Sequence, residues 1–149
     1  MDSRRDKRII FHYISAGFTH FGEKIAEVPV ISLAVKAGKK RARGLAIIDT
    51  GFDGGIYPNI QVLEILEGLK PERTVYLENP LYGLSEFEIY GVEAFIYYNG
   101  EYIELGKAKV YAPTQPEMIS EEVTIGREFL NKFKLVLDPA AKVVIVEIP

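Results

Sequence analysis

Apolar and polar residues alternate along most of this chain with a period close to two, the pattern of strands that turn one face inward. Runs rich in β-branched and aromatic residues cover Ile9 to Ser15, Ala26 to Val35, Gly44 to Asp49, Thr74 to Leu77, Phe87 to Tyr98, Tyr102 to Tyr111, Val123 to Ile125, Lys134 to Leu137 and Val143 to Ile148. Each ends near Gly, Pro, Asn or Asp. Between two of these runs, Asn99-Gly100 predicts a two-residue type I′ hairpin, because both central residues must take positive φ. Gly38 with its basic neighbours predicts a second hairpin, and Asp138-Pro139 opens a third.

Helical spacing occurs in two short places. From Ile60 to Leu69, Val62, Leu63 and Leu66 recur at helical intervals, with Asn59 placed as N-cap and Gly68 and Pro71 as stop signals. After Gly126, the segment Arg127 to Lys132 turns Phe129 and Leu130 inward, followed by Phe133. The pattern predicts an all-β or β-rich single domain with one or two short helices. The Pro113 to Glu122 stretch is only loop-sized, so no linker divides it.

Composition narrows the picture further. At 149 residues, 48% hydrophobic and 26% charged, the chain suits one globular core. The net charge of −3 and the scatter of basic residues give little electrostatic case for nucleic acid. The basic run Lys39-Lys40-Arg41-Ala42-Arg43 reads as a solvated turn. With no cysteine, a disulfide framework and thiolate zinc sites are excluded, and neither a metal nor a cofactor is expected. The charged start, Met1 to Arg8, and the interrupted apolar stretch after it do not form a signal or membrane segment, so a soluble cytoplasmic protein is expected. Residues 1–25 are read as an N-terminal extension that contains a strand and packs on a domain of residues 26–149.

The chemistry concentrates at Asp49-Thr50-Gly51, which follows the apolar run Leu45-Ala46-Ile47-Ile48 and leads into Phe52-Asp53-Gly54-Gly55. A carboxylate at the end of a buried strand is costly unless chemistry needs it there. Downstream lies Val123-Thr124-Ile125-Gly126-Arg127-Glu128-Phe129-Leu130, two hydrophobic positions and a glycine opening a helix. Competing constellations are weak: His12 and His20 lack partners in the sequence, and no serine-triad or phosphate-loop motif is present.

Together the two motifs resemble the retropepsin-like aspartic peptidases, in the order strand, Asp-Thr-Gly, flap hairpin, strand, hydrophobic-Gly, helix, from about Ala26 to Leu137. The similarity is strongest to single-domain prokaryotic members, where Asp-Thr-Gly-Phe followed by an acidic or hydroxyl residue and glycine is common. The resemblance implies a closed β-barrel whose active site forms at a homodimer interface, with a peptide or protein as substrate. Asp49 would be the catalytic residue, and Thr50, Gly51, Phe52 and Asp53 the rest of its loop. Gly126 and Arg127 would support that loop, with an ion pair from Arg127 to Asp53, and Tyr82 and Gly83 would lie at the tip of the flap.

One chain carries one such motif, so water activation needs a second copy. Two Asp49 carboxylates about 3 Å apart would repel by on the order of 5 kcal/mol at an effective dielectric near 20, so one must hold a proton. The ionised partner then acts as general base toward a water while the protonated one polarises the scissile carbonyl. The aromatic Phe52 stands where retroviral and pepsin-like enzymes carry a small residue. It would either line a substrate pocket or fill it. The alternative reading is therefore a non-catalytic or latent module that binds peptide or dimerises with the same fold, its latency removed by trimming Met1 to Gly22.

Overall fold

The computed structural model describes residues 7–149; the charged residues 1–6 lie outside the described part. Among the described residues the strands are β1 (Lys7–His12), β2 (Val30–Ala37), β3 (Lys40–Ile48), β4 (Ile56–Tyr57), β5 (Arg73–Asn79), β6 (Gly83–Tyr98), β7 (Glu101–Pro113), β8 (Val123–Ile125), β9 (Lys134–Asp138) and β10 (Val143–Ile148). Two short helices, α1 (Ile60–Ile65) and α2 (Arg127–Leu130), interrupt them, and a single 3-10 turn spans Pro116–Met118.

Local chemistry fixes the turns. Asn99 and Gly100 take φ of 50° and 78°, so the β6–β7 hairpin closes as its sequence requires. Gly38, at φ 61°, turns β2 into β3. At the third turn the Asp138 carboxylate accepts the Ala141 N–H at 3.0 Å. The Asn59 side chain accepts the Val62 N–H at 3.0 Å and starts α1 as an N-cap.

Six strands close on themselves in the order β2-β3-β8-β4-β7-β6, with β6 returning to β2 from Leu33↔Ile96 to Lys36↔Glu93. Closure removes the exposed edges that an open sheet would leave. The long β6 serves two purposes. Its second half pairs with β2 and completes the barrel, while on that same edge its first half pairs with β5, from Arg73↔Ile89 to Asn79↔Gly83, with β7 along the other edge from Phe87 onward. A register shift at Ala94/Phe95, opposite Gly106 at φ 88°, bends the β6–β7 ribbon near the point where it joins β2.

Inward-facing Ile31, Ile56, Ile96, Val110 and Ile125 are fully buried and meet Phe129 from α2. Each such side chain contributes roughly 1.5–3 kcal/mol relative to exposure. The remaining strands form an antiparallel sheet, β1-β10-β9, that turns Ile9, Val144 and Val146 onto the same core. Its outer face carries a ladder of Arg8, Glu147 and Lys134, with ion pairs of 3.9 and 3.4 Å. Thus β10 is flanked on both sides by strands of its own chain.

Several boundaries differ from the sequence pattern. The apolar run into Asp49 is not buried throughout: Ala46 and Ile48 face the core, but Leu45 is 51% exposed, because alternate residues of β3 point to opposite faces. Strand β6 begins at Gly83, four residues before Phe87, since pairing with β5 carries the ladder through polar positions. The two-residue β4 has too little pattern to be read in advance; pairing of Ile56 with both Ile125 and Val110 makes it. Finally, β2 starts at Val30 rather than Ala26, because Ile14 and Val28 pair in a separate small hairpin.

Candidate active site

Asp49 stands one residue beyond β3, where that strand runs parallel to β8 with Ile48 opposite Ile125. Its backbone N–H donates to Ile125 O at 2.9 Å, and the Ile48 N–H donates to Pro29 O at 3.0 Å. The loop is thereby pinned at its entry from two sides. The Asp49 carboxylate is exposed in the single chain and accepts the Gly51 N–H at 2.9 Å, while the Phe52 N–H donates to Asp49 O at 3.2 Å. The desolvation cost expected for a buried acid is therefore absent in the isolated chain.

The exit of the loop rests on the Gly126 corner. Gly126 N–H donates to Gly55 O at 2.8 Å, Arg127 N–H to Phe52 O at 2.9 Å, and Glu128 N–H to Gly54 O at 3.2 Å. A Cβ on Gly126 would lie 2.4 Å from Gly54 O and 2.5 Å from Phe52 O, so a side chain there would collide with backbone. Gly55 is similarly confined, its Cβ position 2.5 Å from Lys109 O. Arg127 then reaches back over the loop: one guanidinium nitrogen donates to Thr50 O at 2.7 Å and the other pairs with the Asp53 carboxylate. The ion pair expected from the sequence is present.

Around the loop the structure assembles aromatic residues that the sequence pattern did not single out for the site. Phe52 meets Tyr57 and Tyr111 edge-on, at centroid distances of 6.0 and 5.8 Å, and Tyr57 meets Phe87 in the same way. Tyr111 lies in β7 opposite Ile89 of β6. Its ring supports Phe52 and its hydroxyl donates to Glu128 at 2.8 Å. Burial, reinforced by that bond, pushes the Tyr111 phenol up to about 12, so it is a neutral donor across the physiological range. Burial, with Tyr82 nearby, also raises the Tyr57 phenol, whose hydroxyl donates to Met118 O. Tyr97 and Tyr102 form a cross-strand pair, with ring centroids 5.0 Å apart.

The β5–β6 hairpin projects over this floor. Its turn comprises Pro80, Leu81 and Tyr82, with Gly83 at φ 71° opening β6, and the Tyr82 hydroxyl donates to Glu117 O at 3.4 Å. Beneath it lies a cleft of about 500 Å³. Asp49, Phe52 and Asp53 form one wall, Leu77 and Pro80 come from the hairpin, and Met118 comes from the 3-10 turn. The loop from Pro113 to Glu122 thus contributes a wall rather than a mere connection. Among the described residues no cluster of three or more His, Asp or Glu side chains is arranged to hold a metal ion.

The chemistry available is that of an accessible carboxylate, rigidly held by backbone hydrogen bonds, at the edge of a cleft of mixed polar and apolar lining closed above by a β-hairpin. No protein-family model matches the sequence, and no curated protein is significantly similar to it. Among solved structures, the chain is similar to a retropepsin-like aspartic protease from Rickettsia conorii, at 16% sequence identity and a TM-score of 0.51. The alignment covers 97% of this chain and 96% of that one. At this identity the similarity concerns the fold: a mostly β chain with two short helices and a closed six-stranded barrel of the retropepsin-like kind.

Proposed function

We propose that this protein is a homodimeric aspartic endopeptidase of the retropepsin-like type, close to its single-domain prokaryotic branch, in which two Asp49 carboxylates activate a water. The observation that carries this reading is the position of Asp49, exposed beside a cleft of about 500 Å³ under the β5–β6 hairpin and pinned by Ile125, Gly51 and the Arg127-braced loop. Rigid placement with an open face is what a shared carboxylate pair requires. The two carboxylates share one proton, so their titration belongs to the pair. Thr50 stiffens the contact between the two loops. Phe52 lines the cleft, and an extended peptide pairs its backbone with the flap around Tyr82 and Gly83.

The test is cleavage of a diverse peptide mixture by the wild type and Asp49→Asn from about pH 4 to 7, where a shared-proton pair titrates. Cleavage lost in the variant by about a thousandfold or more is expected for removal of the general base. Equal inactivity of both proteins would favour the second reading, a peptide-binding module without turnover. One observation supports that second reading: the Tyr82 hydroxyl ties the hairpin turn to Glu117 of the same chain, holding the cleft covered.

A further inference from the structure

Between β1 and β2 the chain forms an ordered arm. Ile14 and Val28 exchange backbone hydrogen bonds of 3.0 and 2.9 Å, Ile25 N–H donates to Gly17 O at 2.9 Å, and Thr19 N–H donates to Glu23 O at 2.8 Å. Its turn is tightened by Gly22 at φ 80° and by the Thr19 hydroxyl, which accepts the Phe21 and Glu23 N–H groups at 3.3 and 3.2 Å. At the base, Lys142 bonds the Glu27 carboxylate at 2.7 Å. Yet this well-bonded arm displays Phe18 at 68% and Phe21 at 93% exposure. Two aromatic rings held in water by a fixed backbone are an unfavourable arrangement unless something covers them.

We propose that the arm docks on a second copy of this chain and supplies much of the dimer contact. This inference rests on the homodimeric reading above. Three features select a second copy as the occupant. The arm leads directly into Pro29, whose carbonyl holds the Ile48 N–H beside Asp49, so it leaves the body next to the loop that must meet its two-fold mate. Beside the arm lies a cavity of about 210 Å³, whose apolar lining from Ile14, Val30, Leu45 and Ile47 is rimmed by Arg43 and Glu122. Ile14 belongs to both arm and cavity, so knob and hole share one surface, as a two-fold contact requires.

The areas agree. Aromatic side chains of this size bury about 150–250 Å² each, so two arms remove on the order of 600 Å² of the roughly 1,600 Å² that a standard interface buries.

Sedimentation of the full chain, with Phe18→Ser/Phe21→Ser alongside, tests the proposal. The expected result is a wild-type dimer and a double variant dissociating about 100-fold more readily, with far-UV circular dichroism unchanged because both residues are exposed. The chain has no tryptophan, so Phe21→Trp adds a single reporter whose emission should shift to the blue as concentration drives dimerisation. A wild-type dimer matched by an equally tight variant, or an indole reporter that stays solvent-exposed in the dimer, overturns the arm while leaving the peptidase reading intact. A wild type that is monomeric at every concentration overturns both. Peptide cleavage compared with Asp49→Asn then decides the peptidase reading independently.

Discussion

Gly126 is the residue on which the Asp49 loop is most tightly fitted. Within one chain a Cβ at Gly51 would meet only the Asp49 carboxylate, at 3.2 Å. At Gly126 the obstacles are two carbonyl oxygens and the Phe52 ring, which are themselves held by the hydrogen bonds of Arg127 and Glu128. Gly126→Ala is therefore expected to destabilise the fold by about 1–3 kcal/mol, the range for overfilling a packed site. Urea unfolding measures it, and an unchanged midpoint would show that the corner can open without cost. Asp49 itself was legible from its motif. Its carboxylate environment was not, because burial depends on where the strand ends relative to the barrel rim rather than on the apolarity of the preceding residues.

Between elements, the decisive link is Arg127, which joins the start of α2 to the loop after β3. Its side chain is 50% exposed and that of Asp53 73%, so their ion pair alone contributes only about 0–1 kcal/mol. The bond from Arg127 to Thr50 O adds an uncharged acceptor that is not lost with Asp53, worth about 1 kcal/mol more. Accordingly, Arg127→Ala should lower stability by about 1–2 kcal/mol and loosen the proposed dimer, while Asp53→Ala should cost about half as much. Thermal melting and sedimentation of both variants and of the double variant check this. Equal effects of the two single substitutions would mean that the Thr50 bond carries nothing.

Hairpins with turn residues of definite φ, such as the one at Asn99-Gly100, were readable because the chemistry is local. The β5–β6 hairpin was readable only as a turn. Its length comes from β5 and β6 pairing from Arg73 to Ile89, a partnership that the mixed polarity of Leu84, Glu86 and Glu88 does not announce. Likewise, the basic run after Gly38 does not simply face solvent: Arg43 stacks over Tyr97 at 4.0 Å, because barrel closure brings β3 and β6 to the same surface through β2.

At the scale of the whole molecule, the Tyr111 phenol couples the site to global stability. Its pKa stands at about 12 in the folded chain against an ordinary 10, raised by burial and by Glu128. Between pH 10 and 12 the folded state keeps a proton that the unfolded state has lost, so stability falls as pH rises through that window. Below pH 10 both states carry the proton and the contribution is constant. Melting temperature measured from about pH 9 to 11.5 should therefore decline, and Tyr111→Phe should decline less steeply. Identical slopes would detach Tyr111 from the alkaline transition.

The sequence by itself determined the β-rich class, the turns with special residues, the two short helices and the Asp-Thr-Gly and Ile-Gly-Arg motifs, because each of these is set within a few adjacent residues. Tertiary structure alone decided that β6 divides between the barrel and the β5–β6 hairpin, that β4 exists, and that Tyr57, Phe87, Tyr111 and Met118 surround Phe52. It also decided that the hairpin between β1 and β2 stands out with its phenylalanines uncovered. These features depend on which distant segments meet when six strands close. That selection is made by the sum of many weak contacts across the barrel, and no local window of residues contains it.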